Sequence, residues 1–296
     1  MLMPDNAEDQ AQGLQRVRES RPVRVLAVTS GKGGVGKTNV SVNLATALAG
    51  IGRQVMLMDA DLGLANVDVV LGLQTTVNLS HVISGECTLD EIVVQGPRGI
   101  QVVPGASGVT RMAGLSQAEH AGLIRAFSEL SVPLDVLVVD TPAGISEDVI
   151  SFSRASQEVI VVVCDEPASM TDAYALIKVL SREHGIGRFH VLANRVRDPQ
   201  EGNVLYRKMA AVCGRFLDVT LHYMGAVPED PILRQAVQRQ GAVVEMYPGS
   251  PSGRAFKNLA LRADNWPIQS GTRGHLEFFV ERLLNAPSAV EALWGD

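Results

Sequence analysis

The chain has 296 residues, with 26 Lys and Arg against 32 Asp and Glu, 46% hydrophobic side chains, only 4% aromatic, and three cysteines. That composition suits a globular protein with an aliphatic core, neither disordered nor collagenous, and apolar runs such as 159–164 fall far short of the ~20 residues that span a bilayer. The polar start MLMPDNAEDQ is no secretory leader, and isolated Cys87, Cys164 and Cys213 argue against a disulfide framework or a clustered zinc site, so a cytoplasmic location is expected.

Residues 1–22 are polar without a sustained apolar period and are expected to form a flexible arm, with at most a short helix around Ala7 to Val17. From Arg24 the text changes to short aliphatic runs at 25–30, 55–59, 100–104, 135–140, 159–164, 189–194 and 221–228. Continuous rather than alternating apolarity is the pattern of strands buried on both faces of a parallel sheet. Helical periods lie between them: after Lys37, residues Val40, Leu44, Ala47, Leu48 and Ile51 recur every three or four positions, and Gly52 ends the run. The alternation predicts an α/β fold, a doubly wound, mostly parallel sheet flanked by helices, over one domain at 23–264. PGSPSG (248–253) reads as a loop, followed by a helix at about Arg254 to Ala263, a turn at Trp266-Pro267, and a tail (265–296) with an amphipathic segment from Gly274 to Asn285.

Charge and aromatic content divide unevenly. Residues 1–150 hold ten Lys and Arg against sixteen Asp and Glu, whereas 151–296 hold sixteen of each. Among the aromatic residues only Phe127 lies in the first half, and Trp266, Phe278, Phe279 and Trp294 crowd the tail. The acidic half carries the expected polyphosphate and metal site, and the tail is an expected contact surface.

The strongest signal is Gly31-Lys32-Gly33-Gly34-Val35-Gly36-Lys37-Thr38, directly after a strand and before a helix. It fits the phosphate-loop pattern GxxxxGK[ST] in the required context. Glycines let successive N–H groups curl toward an anion at a helix N-terminus. Lys37 can reach the β- and γ-phosphates, Thr38 can place its hydroxyl on Mg²⁺, and Asn39 continues the nucleotide-contacting segment. Asp59 and Asp61 close the second strand two residues apart, so both carboxylates can point the same way. Asp140 ends the strand DVLVVD and is followed by Thr141-Pro142-Ala143-Gly144. Nothing resembles the guanine-reading NKxD tetrad, which favours ATP over GTP.

With Lys32 inside the loop, KGGVGKT resembles the deviant Walker A box of the MinD/ParA class of ATPases, over Arg24 to about Arg262. The resemblance implies a P-loop fold, an ATP-bound homodimer and slow hydrolysis of ATP to ADP and phosphate. It makes Lys32 a residue that crosses the dimer interface to the partner's nucleotide; a solvated loop lysine is the alternative. DADLGLANVD (59–68) looks like the family's switch I, in which Asp61 would orient the attacking water and Asp59 would help hold the magnesium shell. Asp140 would bind Mg²⁺ through water, as in a Walker B strand. Asn194, after FHVLAN, and Pro228 and Glu229 in the loop VPED stand where the family contacts adenine; a turn role for Asn194 fits its strand-end position equally well.

Within that class the chain lacks the paired cysteines of iron–sulfur carriers and nitrogenase reductases, the tyrosine cluster of bacterial tyrosine kinases and the second phosphate loop of arsenical pump ATPases. The segment Asp9-Gln10-Ala11-Gln12-Gly13-Leu14-Gln15 resembles the DQAxxLR activation motif of the FlhG/FleN flagellar-number regulators, with Gln15 in place of the arginine. DADLGLANVDVVLGL and DEPASMTDAYALIK (165–178) are similar to the same family. This resemblance implies two partners, an NtrC-type, FleQ-like activator of flagellar genes and the GTPase FlhF. In GHLEFFVERLL, Leu276, Phe279, Val280, Leu283 and Leu284 recur at helical spacing, suited either to reversible membrane contact or to docking on the body. Residues 182–215 carry seven basic against three acidic side chains; a solvated or protein-binding face is expected there rather than direct DNA binding. A MinD/ParA-type organiser of the division machinery or of DNA is the alternative function.

Overall fold

The computed structural model describes residues 23–61, 66–105, 117–130, 133–267 and 276–284. The arm with its DQA segment and most of the tail lie outside them. Among the described residues, eight strands form one sheet: β1 (Arg24–Ser30), β2 (Val55–Asp59), β3 (Val94–Gln95), β4 (Gln101–Val103), β5 (Val136–Ala143), β6 (Glu158–Val163), β7 (Arg188–Val196) and β8 (Thr220–Pro228). Their order is β3-β4-β2-β5-β1-β6-β7-β8, with β1 between β5 and β6, and every pairing is parallel except β3 with β4.

The helices are α1 (Lys37–Ala49), α2 (Val67–Leu71), α3 (Leu79–Ile83), α4 (Leu89–Ile92), α5 (Gln117–Ser128), α6 (Glu147–Ala155), α7 (Pro167–Arg182), α8 (Pro199–Phe216), α9 (Pro231–Gln238), α10 (Val243–Met246), α11 (Pro251–Asp264) and α12 (Leu276–Leu284). They cover both faces of the sheet, which is why its strands read as unbroken apolar runs. Leu26, Val28, Leu57, Val138 and Ile160 pack on one side against Val40, Leu44 and Leu48 of α1 and Phe256 of α11. Their neighbours in the chain, Val25, Met56, Met58, Leu137 and Val139, pack on the other side with Phe152 of α6. Val159, Val161, Val163 and Val191 meet α7 and α8 on a third apolar cluster.

All seven aliphatic runs form strands. β3 was not legible, since two half-exposed residues pairing antiparallel at a sheet edge leave no periodic signature. PGSPSG is only partly a loop: α11 begins inside it at Pro251, with the Ser250 hydroxyl accepting from the Gly253 N–H at 3.0 Å and proline at the first helical position. β5 continues past Asp140 to Ala143, so the second carboxylate lies within a strand rather than at its end. The C-terminal α12 lies on the body, with Phe279, Val280 and Leu283 buried in the cluster that holds Leu123, Phe127, Phe152 and Ala155. Among the described residues no helix is long and apolar enough to cross a membrane.

Candidate nucleotide site

The site gathers at the C-terminal ends of β1, β2, β5 and β7, where a parallel sheet leaves room outside its edge. The loop after β1 turns into α1 through Gly36, whose φ of 87° is left-handed and closed to most side chains. A Cβ there would also lie 2.6 Å from the Asn194 amide nitrogen. Gly31 is required for a different reason. A Cβ at Gly31 would sit 2.1 Å from the carbonyl carbon of Asp172 and 2.5 Å from the Ala173 nitrogen, both backbone atoms of α7. The loop is thus wedged against α7, and that contact positions Lys32.

Lys37 is buried and donates from Nζ to Asp140 Oδ1 at 3.0 Å; the Ser41 hydroxyl, one turn further along α1, donates to the same oxygen at 2.7 Å. Asp59 and Asp140 are register partners on the adjacent strands β2 and β5. Asp59 Oδ1 accepts from the Asp61 N–H, and its Oδ2 accepts from those of Asn66 and Val67, so it also caps the start of α2. Burial first, and then the charge of Asp140, push the Asp59 carboxyl up to about 6, against the pull of those three N–H groups. Two buried carboxylates side by side with one lysine ammonium are short of positive charge. A hydrated Mg²⁺ fits that deficit, because this ion takes one or two carboxylates plus phosphate oxygens rather than an all-protein cage; among the described residues no group of three or more His, Cys, Asp or Glu gathers to bind a metal. Asp61 stands at the mouth of the site, partly exposed, directly before residues 62–65.

Lys32 donates from Nζ to Glu166 Oε2 at 2.7 Å, in the residue that precedes α7. The hydrogen bond and charge of Glu166 raise the lysine's pKa, and Lys32 in turn lowers that of Glu166. Within one chain, therefore, Lys32 is held by its own α7.

A cleft of about 330 Å³ beside the loop is lined by Gly36, Asn39, Asn194, Arg195, Pro228 and Glu229, together with residues of α9. Asn194, 3% exposed, donates its amide to the Val35 carbonyl at 2.7 Å, which fixes the rotamer and turns Oδ1 the other way. That oxygen and Asn39 Oδ1 are buried without a hydrogen-bond partner among the described residues. Two orphaned acceptors suit the exocyclic amino group of adenine, a double donor; guanine carries an oxygen there. Arg195 follows at a register shift between β7 and β8 with φ 56°, which places its side chain at the cleft rather than in the ladder.

All the residues selected from sequence line this one edge of the sheet. Ser41, Glu166 and Arg195 were missed. Ser41 had a signal, since it lies one helical turn from Lys37. Glu166 and Arg195 had none, because their roles depend on chains brought together from far apart in sequence.

The profile of the CobQ/CobB/MinD/ParA nucleotide binding domain matches residues 26–243. The chain is 57% identical over 280 residues to the antiactivator FleN of Pseudomonas aeruginosa, covering 95% of this chain and 100% of FleN. It is 35% identical to the flagellum site-determining protein YlxH of Helicobacter pylori over 80% of each chain. Among solved structures, the septum site-determining protein MinD from Pyrococcus horikoshii, complexed with Mg-ADP, superposes with a TM-score of 0.64 at 28% identity, over 82% of this chain and 96% of that one.

Proposed function

Because the chain belongs to the CobQ/CobB/MinD/ParA nucleotide-binding family, in its FleN/FlhG branch, we propose that it is an ATP-operated dimerising switch that regulates flagellar number. The observation that carries the nucleotide half of this reading is the pair of register-matched carboxylates, Asp59 and Asp140, set against Lys37 at the start of α1. Identity to an antiactivator along its whole length supports the flagellar half.

ATP and ADP are the ligands of the loop. Backbone N–H groups of residues 31–38 cradle the phosphates, Lys37 offers its ammonium to them, and the cleft holding Asn39, Asn194, Pro228 and Glu229 takes adenine. Mg²⁺ would be held by Thr38 and, through water, by Asp59 and Asp140, and supplies charge neutralisation for phosphoryl transfer. Asp61 orients the attacking water; positioning is most of what this chemistry requires. Lys32 acts in trans. Its ion pair with Glu166 is solvent-exposed and costs little to exchange for a partner subunit's phosphate.

The ATP dimer then binds its partners: an NtrC-type, FleQ-like activator, which it restrains, and an FlhF-type GTPase approached through the arm. Residues 274–284 make reversible contact with the inner face of the membrane or the pole only after α12 leaves the body, because Phe279, Val280 and Leu283 are buried there. DNA is not a proposed partner. Of the basic residues in 182–215, Arg197 pairs with Glu201 inside the segment, and Arg188 and Lys208 pair with Glu158 and Asp165 outside it, which halves the local excess.

Steady-state ATP hydrolysis and sedimentation test the switch. Lys32→Ala and Asp61→Ala should each lower hydrolysis at least tenfold, and Asp61→Ala with saturating Mg-ATP should sediment as a dimer. Unchanged turnover in either variant would refute the assigned roles, and a monomer in ATP would refute the sandwich. Recovery of a flagellar activator with the Asp61→Ala protein from its native cytoplasm tests the partner.

A further inference from the structure

Helix α2 follows the turn that carries Asp59 and Asp61, and its five residues are too few to hold a position of their own. A helix that short is about 7.5 Å long, and one turn costs more to nucleate than its few hydrogen bonds return. Side chains from elsewhere fix both of its ends. At the start, Asp59 Oδ2 accepts from the N–H groups of Asn66 and Val67 at 2.9 and 3.0 Å. At the finish, the Gln240 amide donates from Nε2 to the Val69 carbonyl at 3.2 Å. That carbonyl belongs to the last turn, where a helix has no regular donor to offer; its backbone donor, the Gly72 N–H, stands off at 3.4 Å.

Gln240 comes from the adenine side of the site. It stands just past α9, whose Leu233, Arg234, Val237 and Gln238 line the nucleotide cleft. Its backbone is left-handed, with φ 54°, a conformation that strains a residue with a Cβ and that glycine adopts freely. Glycine there would relieve the strain but carry no amide to Val69. The contact is close as well as polar: a Cβ built on Gly72 would lie 3.0 Å from Gln240 Cβ and 3.2 Å from its Oε1. Beneath it, Val67 and Leu71 of α2 and Ala236 of α9 belong to one apolar cluster. The start of α9 is tied down in turn, since Asp230 Oδ1 accepts from the Ile232 N–H while its Oδ2 holds Ser252 of α11. One anchored helix thus runs from the adenine cleft to α2.

We infer that Gln240 is a positioning residue for hydrolysis: it holds α2, and through α2 the Asp59–Asp61 turn, where α9 sets it when adenine fills the cleft. The inference rests on the roles proposed above for the cleft and for Asp61. Its consequence is that the base contributes to turnover and not only to affinity, because the helix that touches the base also places the residue that orients water. Asp59 is shared between the start of α2 and the expected magnesium shell. In the loaded site the clasp at the other end therefore carries more of the helix's placement.

Steady-state hydrolysis of Mg-ATP by the full-length chain tests this, with Asp61→Ala as the reference for the parent reading. Gln240→Gly removes the amide and the backbone strain together. It should lower kcat about three- to tenfold, the scale of one neutral hydrogen bond, with KM for ATP within about twofold of wild type. Its Tm should equal or exceed that of wild type, whereas a merely structural role would lower Tm and kcat together. Gln240→Glu keeps the shape and the strain but turns an acceptor toward the Val69 carbonyl, and kcat should fall as far. Amide exchange gives a second readout. Mg-ADP should protect residues 67–71 more than Mg-tripolyphosphate, which fills the loop and leaves the cleft open, and Gln240→Gly should erase the difference. If the wild-type chain does not hydrolyse ATP, or Asp61→Ala does so unchanged, the catalytic reading fails and the exchange measurement alone decides the role of Gln240. With that reading intact, the role is overturned by wild-type kcat in Gln240→Gly, by a Tm that falls with kcat, or by equal protection from the two ligands.

Discussion

Gly31→Ala separates packing from phosphate binding in a loop whose glycines are usually credited to the phosphate alone. The added methyl would sit 2.1 and 2.2 Å from the carbonyl carbon and oxygen of Asp172 and 2.5 Å from the Ala173 nitrogen. Ordinary carbon contacts begin near 3.5 Å, so loop and helix must part by roughly 1 Å or more. The obstacle is backbone inside a sixteen-residue helix, not the end of a flexible side chain, so no rotamer change relieves it. Overpacking of this kind costs about 3 kcal/mol, which corresponds to a fall in Tm of about 6–12 °C for a domain of this size. Gly33→Ala is the matched control: a Cβ there meets nothing within 4 Å and its φ is not left-handed. It should change stability by no more than about 0.5 kcal/mol. Urea and thermal unfolding of the nucleotide-free chain measure both. Equal stability of Gly31→Ala and Gly33→Ala would refute the claim that α7 is wedged against the loop, and with it the account of how Lys32 is positioned.

Asn194→Ala removes the 2.7 Å bond to the Val35 carbonyl and the orphaned acceptor in the cleft, and should weaken ATP at least tenfold while weakening tripolyphosphate little; equal losses for both ligands would refute adenine recognition. Phe279→Ala empties a site in which the ring is 2% exposed, and should destabilise the nucleotide-free chain by about 3–5 kcal/mol or detach α12 altogether, seen as faster amide exchange or proteolysis at residues 276–284. Asp59 has a folded pKa raised from 3.8 to about 6, so the folded chain binds the extra proton and this residue's penalty, about 3 kcal/mol at most, is fully present above about pH 6 and gone below about pH 4. Relative to Asp59→Asn, whose amide does not titrate, the wild-type chain should therefore gain stability as pH falls from 6.5 to 4 in denaturant titrations; a gap that stays constant or widens would refute the assignment.

The legible part of the site was the part written locally. A phosphate loop needs glycines, a lysine and a hydroxyl at fixed spacing, because one turn and one helix N-terminus form it, and residues 31–38 supply them in eight consecutive positions. Asp59 and Asp140 were legible as carboxylates next to strand ends, but their register pairing across β2 and β5, and so the raised pKa of one of them, arises only from strand order. The amphipathic stripe of α12 specified that one face is apolar. It did not specify what covers that face, and the packing of Phe279 and Leu283 beside Phe152 did.

Sequence by itself determined the class of fold, the seven parallel strands and the phosphate loop, since each rests on an apolar run or on a contiguous motif. Tertiary structure alone decided that Lys32 rests on Glu166, that Ser41 shares Asp140 with Lys37, and that Asn194 is locked by Val35. Each of these contacts joins residues about a hundred or more positions apart, save the one helical turn from Lys37 to Ser41. The physical reason is that a contact between distant residues depends on which strands lie side by side. That order follows from burying every apolar face at once, and no local pattern records it.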